Sequence, residues 1–222
     1  MQQNIPMPPD LQKKLDAIDL EVRNLYFKWK FFSQLFTDPD RVSILNATAG
    51  SLFQSIEDSM LSDILLSIMR LTDPPKSVGQ ENLSFASLIQ EIPNGSLRTE
   101  VSKLSDVVKG KTRDIRTWRD KKLSHNDLGK ALGSFSLPPI QKKDLTDTLE
   151  LIPRMMNLIH GYFSDTEVRY DMSITSQDGD SLLFFLEYGL DAWGEDKRNQ
   201  NLDRVHKLRK KWAANKRKPP SD

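Results

Sequence analysis

Apolar residues recur along this chain at spacings of three and four, the period of a helix with one face on a core. The first such stretch runs from Asp10 to Phe36, behind Pro8 and Pro9, with Asp10 as its N-cap. It is dense in aromatics (Tyr26, Phe27, Trp29, Phe31, Phe32 and Phe36), a stripe that suits a core or an interface between copies better than a nucleic-acid platform. A second stretch opens with Asp38 as cap and Pro39 at the first helical position, where a missing N–H costs nothing. It continues through Leu45, Phe53, Ile56, Ile64, Ile68 and Leu71 until Asp73-Pro74-Pro75 stops it. A straight helix of about 34 residues would be roughly 50 Å long.

The same reading predicts a short helix over Ser84–Ile92 and a long fourth one from near Ser96 to about His125. Two more follow, Ile140–Phe163 and Ser181 to about Trp193. Gly129, Gly133, Pro138 and Pro139 mark a loop, and residues 170–180, with Gln177-Asp178-Gly179, read as a small hairpin or an irregular link. The pattern predicts an all-α bundle of five to six helices. Its organisation is an N-terminal extension over 1–9, a helical domain over 10–200 and a basic C-terminal helix or tail over 201–222.

Composition narrows the chemistry. The chain of 222 residues has no cysteine, which excludes disulfides, cysteine zinc sites, iron–sulfur clusters and thiol nucleophiles. With 32 Lys+Arg against 31 Asp+Glu, gross charge neither demands nor forbids nucleic acid. The longest apolar run, Leu182 to Leu186, is far short of a membrane span, and MQQNIPMPPD has neither the basic nor the apolar region of a signal peptide. A soluble, cytoplasmic protein is expected, with no membrane partner. His125, His160 and His206 lie far apart, and HExxH, GxGxxG and P-loop patterns are absent, so neither a metal nor a cofactor is expected.

The informative helix is the fourth. On a wheel of 100° per residue, Leu97, Val101, Leu104 and Val108 fall within about 40° of Ile115, a core stripe. One turn later the stripe is occupied by Arg119 and Lys122. Arg113, Arg116, Arg119, Lys122 and His125 recur at spacing three as a basic ridge. A charge ridge at the end of a bundle helix is in general a solvated face, so periodicity alone does not make a site.

The residues WRDKKLSHND, 118–127, resemble the Arg–polar–x(4–6)–His signature of the HEPN superfamily, α-helical domains rich in RNases. Arg154 to His160 repeats the spacing, but it lies in a strongly apolar helix and lacks the polar residue after arginine, so His160 reads as a core or bundle-edge histidine. Ser43 to Ile89 looks like the second helix and following loop of the abortive-infection, AbiU-like branch, and the similarity covers roughly residues 10–195. Asp120 departs from the pattern, standing where many members carry Asn. Another branch carries a His-x-Tyr extension that a nucleotidyltransferase partner modifies; Asp127 holds the tyrosine position here, and that regulation is not carried over.

The resemblance implies a metal-independent endoribonuclease, acting as a homodimer on RNA in phage defence or a toxin-like system, with an antitoxin or another defence protein as possible partner. Metal-free RNA cleavage needs proton transfer at the 2′-OH and the leaving 5′-oxygen, and cations for the phosphorane charge. His125 and Arg119 supply these, with Asp120 beside them in the signature, and Arg116, Lys122 and Asp127 are the expected substrate contacts. The alternative is a catalytically silent bundle that binds RNA, nucleotide or a protein, toward which the phosphate-repelling Asp120 leans. The tail from His206 to Lys218 holds seven Lys/Arg and Trp212; it reads first as a solvated terminus and second as an RNA contact.

Overall fold

The computed structural model describes residues 6–118, 140–172, 177–198, 207–208 and 210–211. Its elements are α1 (Pro9–Phe36), α2 (Pro39–Thr72), a hairpin of β1 (Lys76–Ser77) and β2 (Gln80–Glu81), α3 (Phe85–Glu91), α4 (Ser96–Lys111), α5 (Arg113–Trp118), α6 (Lys142–Ser164) and α7 (Gly179–Arg198). The fold is all-α apart from that hairpin. Among the described residues no helix is long and apolar enough to cross a membrane. The chain gathers into two compact units, one of Met1–Phe32 with Ile56–Ile174, the other of Ser33–Ser55 with Thr175–Asp222.

The first unit has its core where the periodicity put it. Leu11, Leu15, Ile18, Val22 and Leu25, at spacings of four and three, are fully buried along one face of α1. Ile64, Ile68 and Met69 of α2, Phe85 and Leu88 of α3, and Ile152, Met156 and Ile159 of α6 are buried as well. Helix α4 packs along α6, with α3 and α5 against α4. Lys111 of α4 ties this pair at its edge, reaching Asp147 at 2.6 Å and Asp144 at 3.5 Å on α6. A reciprocal cap starts α3: Ser87 N–H donates to Ser84 Oγ at 3.3 Å, and Ser84 N–H donates to Ser87 Oγ at 3.1 Å. Such caps contribute about 1 kcal/mol.

Three local departures from the sequence pattern have physical causes. The long fourth helix is two helices, because Thr112 leaves helical geometry (φ −92°, ψ 10°). Its buried hydroxyl donates to the carbonyl oxygens of Val108 and Lys109 at 3.0 and 3.3 Å, closing α4, and its own carbonyl accepts from Arg116 N–H at 3.0 Å, opening α5. The core stripe survives the break: Leu97, Val101, Val108 and Ile115 are buried. In α2, Ala49 (φ −153°, ψ 58°) kinks what the pattern predicts as a straight rod; the preceding Thr48 hydroxyl bonds back to Ile44 and Leu45 carbonyls. The hairpin appears at 76–81, where only a loop is expected, and turns on Val78 and Gly79, both at positive φ. Two such residues make the tight turn that matches strand twist. Near 170 the link is irregular, with a turn at Tyr170–Asp171.

In the second unit Asp178 caps α7, its carboxylate accepting from Ser181 N–H at 3.3 Å. Gln34 brackets this start, donating to Asp178 and Asp180 at 2.9 and 2.8 Å and accepting from Gly179 N–H at 3.1 Å. A Cβ on Gly179 would lie 2.8 Å from Gln34 Cβ, so only glycine permits this approach.

Candidate functional site

Of the six predicted site residues, Arg116 lies among the described ones. Arg119, Asp120, Lys122, His125 and Asp127 lie outside them. Arg116 sits on α5, three residues before Arg119 in the sequence, and its guanidinium is committed to the end of α2. Nη1 donates to Asp73 Oδ1 at 3.1 Å, and Nη2 donates to the Thr72 carbonyl and hydroxyl at 3.3 and 3.4 Å. The sequence explains the match: Asp73 follows the last turn of α2, where carbonyls lack intrahelical partners and a cation is favoured. One arginine therefore pins the short helix that leads into the signature.

Asp73 also lines a cleft of about 460 Å³ formed by α1, the end of α2 and the hairpin. Glu21, Asn24 and Lys28 enter it from α1; their spacing of three and four puts them on one helix face. Arg70 and Leu71 come from α2, and Glu81, Asn82 and Leu83 close the far side. Asn82 holds the hairpin in place, its amide donating to the Pro74 carbonyl at 2.8 Å and Ser77 Oγ at 3.0 Å while its N–H donates to the Pro75 carbonyl at 2.9 Å. The cations of the cleft are already paired. Lys28 Nζ is 2.6 Å from Asp63, and Arg70 is 3.8 Å from Asp63 and 3.2 Å from Ser67 Oγ. Sequence reading missed this cleft, since Asp73 reads as a helix stop and Glu81 as loop; the polar triplet Glu21–Asn24–Lys28 on α1 is the signal that could have found its floor.

The second arginine–histidine pair is held quite differently. His160 is nearly buried, and its Nε2 stands 2.8 Å from Asp19 Oδ2 without forming a hydrogen bond there. The Tyr170 hydroxyl donates to the other oxygen of Asp19. Burial, then that hydrogen bond to Asp19, push the Tyr170 pKa up; burial, then the charges of Glu150 and Asp171, do the same to Tyr26, whose hydroxyl is buried without a partner among the described residues. Arg154 is exposed. This is the core histidine that the apolar context of its helix implies.

Among the described residues no three His, Asp or Glu side chains group as metal ligands would. A comparison with family models matches residues 8–183 to AbiU2, a HEPN family. No curated protein and no solved structure matches the chain.

Proposed function

From the premise that this chain belongs to the AbiU2 family of HEPN proteins, we propose that it is a metal-independent endoribonuclease acting as a homodimer, in phage defence or a toxin-like system. The observation that carries the reading is the family match, which spans the whole of the Arg119–His125 signature; the pinning of α5 by Asp73 supports it, because a nuclease needs its phosphate-binding arginine on a fixed base. In the reaction the substrate 2′-oxygen attacks the adjacent phosphorus and loses its proton to a base. The bond to the 5′-oxygen breaks, and that oxygen takes up a proton. The products are a 2′,3′-cyclic phosphate and a 5′-hydroxyl. His125 carries the proton transfers, and Arg119 with Lys122 stabilises the phosphorane charge. One site histidine per chain is thin for two transfers, and a twofold mate supplies the second. Arg116 acts as a positioning residue through Asp73.

The test is cleavage of single-stranded RNA in EDTA, with the ends identified chemically, alongside a mass measurement in solution. Cyclic phosphate ends from a dimer are expected; a requirement for added metal would overturn the mechanism. Asp120 favours a second reading, a silent RNA-binding module, because a carboxylate beside the scissile phosphate opposes its charge. Binding without cleavage, converted to cleavage by Asp120→Asn, would establish that reading.

A further inference from the structure

The cleft between α1, the end of α2 and the hairpin has the size of a ligand site, and its chemistry is selective. Phosphate does not suit it. Three carboxylates (Glu21, Asp73 and Glu81) line it against two cations, and both cations are drawn to Asp63. Asp73 is in turn committed to Arg116. That leaves the Glu21 and Glu81 carboxylates and the Asn24 amide with no hydrogen bond or ion pair among the described residues, facing a common space. Leu83, partly exposed, adds an apolar surface at the rim.

Ionised carboxylates only accept hydrogen bonds, so the matching ligand is a donor edge that carries no negative charge of its own. Single-stranded RNA offers such edges, since unstacked bases are read on their Watson–Crick side. Guanine alone presents two adjacent donors there, N1–H and the 2-amino group, which one carboxylate accepts together; its neighbouring O6 is an acceptor for an amide such as that of Asn24. Adenine and cytosine offer one amino group, and uracil one imide N–H between two acceptors that carboxylates repel.

We propose that this cleft reads one guanine base of the RNA beside the cleaved phosphodiester. The inference rests on the nuclease reading for its link to cleavage, not for its ligand. The link is Asp73, which lines the cleft and holds the helix that runs into Arg119.

The experiment titrates the wild-type protein with the 5′-monophosphates of guanosine, inosine, adenosine, cytidine and uridine by calorimetry, and maps cleavage on RNA of mixed sequence. Guanosine monophosphate is expected to bind tightest. Inosine monophosphate, which lacks the 2-amino group, should bind about tenfold more weakly. Glu21→Gln with Glu81→Gln, both at exposed or half-exposed positions, should cost about ten- to a hundredfold in guanosine monophosphate affinity and erase a preference for cutting next to guanosine. Leu83→Arg, which crowds the rim from outside the acidic pair, should do likewise and guards against a misfolded double variant. Equal affinity for all five nucleotides, or a guanine preference untouched by these variants, overturns the cleft assignment while leaving cleavage intact. Guanine-selective binding that the variants remove, in a protein that cuts no RNA, upholds the cleft and overturns the nuclease.

Discussion

Two stretches of this chain place an arginine six residues before a histidine, and the described residues that bear on each are arranged differently. His160 is enclosed on α6 with Asp19 and Tyr170 against it, and Arg154 points to solvent. The other stretch follows α5, whose Arg116 is anchored beside an open cleft with unpaired carboxylates. The difference teaches that spacing does not define a site. A histidine enclosed in the core serves the fold; carboxylates that share an open cleft with no protein partner among the described residues are placed to meet a ligand.

The contrast can be broken most forcefully at His160. His160→Ala should lower unfolding stability by about 2 kcal/mol, because removing a nearly buried ring leaves a cavity against Asp19 in the core, and RNA cleavage by the folded fraction should not change. Urea denaturation followed by circular dichroism reads the first, single-turnover cleavage the second; a stable variant that has lost activity would reverse the roles assigned to the two histidines. A smaller effect is expected at Arg116, whose pair with Asp73 is part exposed. Arg116→Gln should cost about 1 kcal/mol of stability but slow cleavage several-fold with RNA affinity kept, and Arg116→Lys should restore part of the rate. Loss of RNA affinity alone would make it a direct phosphate contact instead.

The smallest effect lies on the structural side, at the α4–α6 edge. Hydrogen bonds from Lys111 and then Lys143 hold the Asp147 carboxyl below its ordinary value of 3.8. A lowered folded-state pKa contributes stability above the ordinary value, and that contribution is lost as pH falls through the folded value. Wild-type stability should therefore decline as pH drops below about 4, and Asp147→Asn should flatten that part of the profile. An unchanged acid limb in thermal melts between pH 2.5 and 6 would show that this ion pair adds nothing.

Much of the fold is legible in the sequence because helix periodicity and caps are local. Asp38 does cap α2, accepting from the N–H groups of Asp40 and Arg41 at 2.9 and 3.2 Å, and the buried face of α1 follows its apolar spacing. What escapes is set by partners distant in sequence. Near Thr112 only Gly110 hints at a break, and the threonine itself sits in a continuous helix as readily when its hydroxyl and backbone are not recruited to close one helix and open the next. Likewise Asp19 is read as one more polar position on α1 until His160 and Tyr170, more than a hundred residues away, are folded onto it. The signature from Arg119 to Asp127 was legible as a motif; the pairing of Arg116 with Asp73 and the cleft that Asp73 lines were not.

The most direct measurement sets the two histidines side by side: cleavage of single-stranded RNA in EDTA by His125→Ala and His160→Ala, each checked for folding by its helical circular dichroism. The account predicts that the folded His125 variant binds RNA and loses at least a hundredfold in cleavage, the order that removal of a general acid–base costs, whereas the His160 variant cleaves at the wild-type rate per folded molecule. Cleavage that survives the His125 change, or disappears with His160, would contradict it.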